Sequence, residues 1–371
     1  MEADMKRIRR LCVQRAREIF ATAATAGIVG WIAVLASTAE LTMEASPEAG
    51  QIEASHTAGT GCSATTMAAF DACWAESRAS YALALGACAN LEDDDRAECL
   101  ADALESRREE DLSCRAQRIA RRDLCELLGD EPYDPDFQPE LFDADFTRLA
   151  RPNRYFPLTI GNRWTYRGGN EMVTIEIRNE TKLIEGVRCL VVRDQVFVNG
   201  DLVEDTDDWF AQAKDGDVYY CGEEVKDFET FDGDNPRRAE LVSTDGSFKV
   251  GRDEALAGII FRGVPTKGEV YRQEFSLGNA EDVAEVLSTS YAFGTDPALD
   301  ELVPRALMQV FCARDCVVTK DFSPLEPGVF ERKYYAPGIG LILETNPGTG
   351  EVLRLTACSF DTRCGGLGNL P

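Results

Sequence analysis

The stretch CSATTMAAFDACWAESRASYALALGACANLEDDDRAECLADALESRREEDLSCRAQRIARRDLC, from Cys62 to Cys125, carries cysteines at 62, 73, 88, 99, 114 and 125, spaced alternately by 11 and 15 residues. Eleven residues at about 100° each return to within about 20° of the same helix face, and fifteen to within about 60°. The stretch is rich in helix formers and has no proline. It breaks only near 86–95, where Asn90, Asp93, Asp94 and Asp95 offer caps and a favourable acidic start for a second helix. Two helices folded back antiparallel rise equally per residue, so facing residue numbers have a constant sum. Cys88 with Cys99, Cys73 with Cys114 and Cys62 with Cys125 all sum to 187. One turn at Asp93–Asp94 therefore brings three nested pairs face to face. Bridged Cα atoms lie about 4.4–6.8 Å apart, and Ala64, Ala68, Ala69, Ala72, Ala75, Ala79, Ala82 and Ala84 permit that approach. Zinc is the rival reading, but its sites favour cysteines a few residues apart together with histidine. The pattern predicts a disulfide-stapled antiparallel α-hairpin over 62–128.

Working outward, the chain has 371 residues, 44% apolar and 28% charged, enough for about two globular domains. Its net charge of −26 (39 basic, 65 acidic) repels nucleic acid phosphates and anionic headgroups, which argues against nucleic acid as a partner. The basic residues Lys6, Arg7, Arg9, Arg10, Arg15 and Arg17 precede an uncharged run over 19–39 that ends with Ser37 and Ala39 before Glu40. This is the pattern of a secretory signal peptide over 1–39, with an uncleaved membrane anchor as the alternative. Its loss removes six of the 39 basic and three of the 65 acidic residues, leaving −29. It also removes Cys12 from the 13 cysteines. Twelve remain, an even set that suits an extracytoplasmic (periplasmic or secreted) chain with disulfides. Residues 40–61, rich in Ala, Thr, Glu and Gly, read as a flexible tether.

Beyond the hairpin, Pro132, Pro135 and Pro139 make 129–154 an extended linker, with a short helix expected over 140–149. From Tyr155 the pattern turns to β-prone runs between turn residues. Strands are expected at 163–166, 172–178, 187–198, 202–213, 218–223, 269–276, 283–290, 317–322, 329–336, 340–345 and 352–357. Asn199-Gly200 and Asp215-Gly216 are tight hairpin turns, and Pro337-Gly338 and Pro347-Gly348 mark two more. Helical inserts are expected at 253–260 and 297–307. The fold class is α+β: the stapled hairpin followed by an antiparallel β-meander or barrel-like domain over 155–364.

Of the later cysteines, Cys358 with Cys364 forms a plausible local loop, and Cys312 with Cys316 is possible. Cys189 with Cys221 is left by elimination, but regular turns place both opposite Phe210, about two strand spacings apart and out of reach. A bulge or a longer loop would rescue that pair.

Four clusters in the strand region carry a family likeness. They are Tyr155-Phe156-Pro157-Leu158 with Gly161 and Trp164-Thr165-Tyr166, Asp208-Trp209-Phe210-Ala211-Gln212 with Asp215-Gly216, Pro324-Leu325-Glu326-Pro327-Gly328, and Tyr335-Ala336-Pro337-Gly338-Ile339-Gly340-Leu341. Over about 153–358 the chain resembles a family of uncharacterised exported bacterial β-rich proteins. The resemblance implies an extracytoplasmic β domain and assigns no catalytic residues.

The chemistry on offer is narrow. His56, the one histidine, falls in the tether, which removes Ser-His-Asp, Cys-His and histidine-metal designs. No phosphate-cradling GxxxxGK[ST] loop occurs, and Cys312-x-x-x-Cys316 lacks the two-residue redox spacing. Carboxylates are in excess: Asp201, Glu204, Asp205, Asp207 and Asp208 crowd one strand before Trp209 and Phe210. Period two puts Glu204 and Asp208 on the face of Phe210, and Asp205, Asp207 and Trp209 on the other. Carboxylates beside aromatic rings suit a glycosidase or a calcium site, but in so acidic a chain they read first as a solvated strand face. Asp232-Gly233-Asp234-Asn235 has calcium-loop residue types but Ser243 at the twelfth position, and reads as a turn. Aromatic pairs such as Trp164 with Tyr166 and Phe330 with Tyr334 read as core.

The sequence thus points to an exported, non-enzymatic protein that binds a small or polymeric ligand or an envelope partner, touching a membrane only if the N-terminal segment is uncleaved. No cofactor is expected beyond a possible calcium ion. The candidate binding patch is the acidic and aromatic cluster Glu204, Asp205, Asp207, Asp208 and Trp209. The alternatives are a carboxylate-dependent glycan hydrolase or lyase, and a structural envelope component.

Overall fold

The computed structural model describes residues 61–370. The leader over 1–39 and the tether, apart from Gly61, lie outside the described residues. Helices α1 (Cys62–Cys88) and α2 (Asp93–Leu128) form the hairpin. Its bridges are nested: Cys62–Cys125, Cys73–Cys114 and Cys88–Cys99, with Cα separations of 5.6, 5.7 and 5.6 Å. Asp93, Asp94 and Asp95 fill the first turn of α2, where the helix dipole favours them, although no side chain caps that end. Contacts beside the sulfurs follow nearly the same register, with sums of 188 or 189. Guanidinium groups of Arg118, Arg115 and Arg107 stack on Phe70, Trp74 and Tyr81 at 5.1, 5.7 and 4.9 Å, and the Ser77 hydroxyl donates to Asp111 at 3.0 Å. Cation–π contacts and covalent bridges do here what a leucine seam does in an ordinary helix pair. None of the described helices is long and apolar enough to cross a membrane.

The linker packs against the sheet. The Tyr133 hydroxyl donates to the Ala257 carbonyl at 2.8 Å, and Phe137 and Phe142 sit edge-on to one another. The helix expected at 140–149 is not formed. Only a short 3-10 turn occurs (Pro139–Leu141), because Phe142 and Asp143 bridge to the chain at Ala213 and Gln212 instead.

The β domain is one 15-stranded sheet in which every pairing is antiparallel. Strands β1 (Arg163–Gly168), β2 (Glu171–Ile184), β3 (Val187–Val198), β4 (Asp201–Gln212) and β5 (Val218–Glu224) form one meander. A second comprises β10 (Val270–Arg272), β11 (Val283–Tyr291), β12 (Cys316–Phe322), β13 (Glu331–Ala336), β14 (Gly340–Asn346) and β15 (Glu351–Cys358). Pairing of β15 with β1 stitches the two together. Between them, β6 (Asp227–Thr230) and β7 (Ala239–Ser243) form a finger off β4, while β8 (Phe248–Lys249) and β9 (Gly258–Phe261) pair with β5. The sheet curls without closing. Phe261 of β9 and Tyr335 of β13, far apart along the ladder, bring their rings within 4.5 Å. Where the two ends meet, a side chain at Gly258 would strike the Gln273 carbonyl at 1.9 Å, which requires glycine there.

Two inserts differ from expectation. Residues 253–260 are not a helix: backbone pairing of Leu256 with Phe275, and β9 itself, draw them into the sheet. The second helix starts only after Pro304, as α3 (Arg305–Phe311), with turns before it; proline suits the start of a helix and not its middle.

Cys189 and Cys221 are bridged, with Cα atoms 6.7 Å apart, correcting the expectation that they lie out of reach. Two bulges supply the missing distance. The first, at Val196/Phe197, shifts the register so that Leu190 rather than Cys189 faces Phe210. The second, at Trp209/Phe210, leaves Cys221 between two paired positions, pulled toward β3. Buried Ala211 between the strands leaves room for the bridge. Cys312–Cys316 and Cys358–Cys364 close local loops.

The interior is packed. Phe156 lies against Phe210 (5.2 Å) and Phe261 (6.4 Å). Buried Asn153 fixes that segment: its amide donates to the Gly216 and Arg262 carbonyls, and its side-chain oxygen accepts from the backbone N–H of Tyr155 and Phe156. The Tyr155–Leu158 motif is thus a plug inside the curled sheet.

Candidate functional site

The crowded acidic strand is β4, and alternation divides it. Asp205 is held by Arg193 in a two-pronged ion pair, at 2.7 and 2.6 Å. Trp209 is buried in a second core on the other side of the sheet, with the Lys182 ammonium 3.2 Å from its ring centre. Asp207 shares that side and pairs in register with Arg193 of β3 and Glu224 of β5. Glu204 and Asp208 face the interior with Phe210. Thr206 donates to Glu204 at 2.9 Å, and the Tyr220 hydroxyl donates to Asp208. The five residues therefore do not form one patch.

The inward pair belongs to a larger acidic lining. Asp194 of β3, Glu223 of β5, Glu274 and Asp282 lie in its electrostatic neighbourhood. On the facing wall, Lys333 of β13 stands 3.4 Å from Asp321 of β12, 3.6 Å from Glu344 of β14 and 3.8 Å from Glu331. Asp321 is also hydrogen-bonded by Thr319 (2.5 Å) and Gln273 (3.4 Å). Burial, with Tyr220 opposing and Glu204 adding, pushes the Asp208 carboxyl up to about 7. Burial and the adjoining Glu344 push Glu331 up to about 8. Burial raises Asp194, Glu223 and Glu274 well above the carboxylate range, and raises Glu204 and Asp282 as well. Burial opposes the charge on Lys333, yet Asp321, Glu344 and Glu331 hold it well above its ordinary value.

Such a lining takes up protons near neutrality and surrounds one ammonium with carboxylates. Among the described residues no three Asp, Glu, Cys or His side chains are arranged to hold a metal ion. Two depressions at the surface, of about 10 and 130 Å³, lie elsewhere and touch no member of the lining. Sequence reasoning found Glu204 and Asp208 but missed Lys333 and its three carboxylates. The available signal was alternation: Asp321 follows buried Val317 and Thr319 at period two on β12, and Glu331 and Lys333 precede buried Tyr335 in the same way on β13, with Glu344 opposite Lys333.

No protein-family model and no curated protein matches the chain. Two solved structures are similar to it: a presumed exported protein with a YmcC-like fold from Bacteroides fragilis, at 13% identity, and a presumed lipoprotein from Parabacteroides distasonis, at 10%. Each comparison covers 56% of this chain and 99% of the other, with a TM-score of 0.29. A likeness at that level carries no argument about function.

Proposed function

We propose that this is an exported, non-enzymatic protein that engages a partner of the cell envelope through its stapled hairpin. The six disulfides support an oxidising compartment. The observation that carries the interaction is the far end of the hairpin. From Arg78 to Ser113 only Cys88 and Ala103 are buried, while Leu83 (77% exposed), Leu85, Leu91, Leu100 and Leu104 face solvent. The contacts to the sheet come from the opposite end, at Cys62 and Arg121. An arm pinned by three bridges, docked at its base and carrying exposed leucines on either side of an acidic tip, has the anatomy of an interaction element. The plugged interior supports surface recognition over a small-molecule pocket, since such pockets usually hold about 300–1,000 Å³.

Photo-crosslinking residues placed at Leu83 and Leu104 in cells that make the protein test this. A discrete adduct from both positions, missing when the same probe replaces exposed Leu183 on the sheet, is expected. No adduct, or the same adduct from Leu183, would remove the proposal. The glycan hydrolase is a second reading that rests on Asp208 alone, whose near-neutral carboxyl beside Phe210 and Tyr220 resembles a general acid.

A further inference from the structure

At the base of the hairpin, Arg121 of α2 crosses to the sheet and meets Glu281, both almost fully buried. Arg121 Nε lies 2.8 Å from Oε2, and Nη2 lies 2.7 Å from Oε1. Glu281 Oε1 also accepts from the Gly278 N–H at 2.6 Å. Arg121 and the Gly278 N–H thus take up most of what the carboxylate can accept. A second guanidinium, Arg272, is buried next to this pair. It lies between the rings of Phe275 (4.9 Å) and Tyr133 (5.6 Å), and its Nη2 reaches only the Cys62 sulfur, at 3.6 Å. Tyr133 brings no negative charge, because burial raises its hydroxyl and it donates to the Ala257 carbonyl.

Two cations thus face one anion. Arg121 Nη1 and Arg272 Nε are buried N–H donors with no hydrogen-bond partner among the described residues. Both side chains line one small, partly open recess together with Cys62, Thr66, Phe275 and the Glu281 carboxylate, with about 10 Å³ of free volume. That is room for about one atom of water size. A buried guanidinium without a counter-charge is costly, and an N–H left unmade costs the desolvation of the group. A polyatomic anion such as phosphate does not fit the space.

We propose that this recess is a halide site: a single chloride ion, held by Arg121 Nη1 and Arg272 Nε, completes the charge balance and locks the hairpin onto the sheet. Water fills the same volume but adds no charge, leaving Glu281 alone to balance both guanidinium groups. Chloride binds only the assembled joint, so it stabilises the folded chain by mass action.

Two measurements on the full disulfide-bonded protein test this. Thermal unfolding is followed while sodium chloride replaces sodium gluconate at constant ionic strength. The melting temperature is expected to rise saturably, by about 2–4 °C for roughly tenfold saturation of a millimolar site. In Arg272→Met, which keeps the bulk and removes the donors, that rise is expected to vanish. Crystals grown in sodium bromide are expected to show an anomalous peak between Arg121 and Arg272, and this reading needs no variant to fold. A melting temperature indifferent to chloride would overturn the proposal. So would an equal rise in Arg272→Met, or bromide found only elsewhere with water in the recess.

Discussion

Glu281 shows how much depends on one side chain at the joint between hairpin and sheet. Its two oxygens hold Arg121 and the Gly278 N–H, and the residue is 1% exposed. A buried ion pair contributes modestly while intact, but removing one partner strands the other charge. Glu281→Gln is therefore expected to destabilise the protein by about 3–5 kcal/mol in denaturant unfolding, far more than an exposed substitution such as Glu254→Gln. A loss below about 1 kcal/mol would mean that Arg121 is not confined as described. The same scale shows where a sequence stops being legible. Period two sorts the acidic strand correctly, because alternation is a property of the backbone. The Cys189–Cys221 bridge was not legible, because it depends on two bulges that shift register by one residue each. Nothing in Val196-Phe197 or Trp209-Phe210 announces an extra residue.

At the scale of elements, the hairpin carries a direct test of nesting. The Cys62–Cys125 bridge spans 63 residues and Cys88–Cys99 spans 11, with Cys73–Cys114 between them. Replacing both outer cysteines by alanine frees two eleven-residue arms at the base and is expected to cost about 3 kcal/mol. Replacing the inner pair frees only the tip and is expected to cost less, with most helical circular dichroism retained. The reverse order would show that the tip, not the base, organises the pair. This element was legible because rigid helices turn sequence spacing into spatial register, so one sum fixes three bridges, and the arginine–aromatic stacks fall within two of it. The finger and its neighbours, β6 to β9, were not legible. Their strands are two to five residues long and lack alternation, and helix formers Glu254, Ala255, Leu256 and Ala257 outweigh the local β signal. Tertiary pairing with Phe275, along with the Gly258–Gln273 approach, decides that segment. The acidic lining was half legible for a related reason: one strand shows two of its members, whereas Lys333 and its partners converge only once the sheet curls.

Across the whole molecule, that lining fixes the sign of the pH dependence. Burial raises Asp208 to about 7 and Glu331 to about 8, and raises Asp194, Glu223 and Glu274 as well; Glu326, near Asp282, is raised to about 7. In the unfolded chain the same carboxyls titrate near 4. Between those limits the folded state holds more protons than the unfolded one, so stability falls as pH rises. The contribution is complete below about pH 4 and is lost as pH passes through about 7 to 8. Carboxyls held low, such as Asp361 beside Arg363 and Asp145 beside Thr147, act in the opposite sense below that window and leave the trend within it unchanged. The melting temperature is therefore expected to be several degrees higher at pH 5 than at pH 8.5, measured at fixed chloride. Asp208→Asn places a permanently neutral group where the protonated acid stands, and its amide oxygen still accepts from Tyr220. It is expected to flatten the part of the curve centred near pH 7 while leaving the melting temperature at pH 5 close to the parent's. A curve that rises toward pH 8.5, or a variant with the parent's slope, would mean that these carboxyls are solvated and ionised. The sheet would then open far more widely to water than the packing of Phe156, Phe210 and Tyr220 allows.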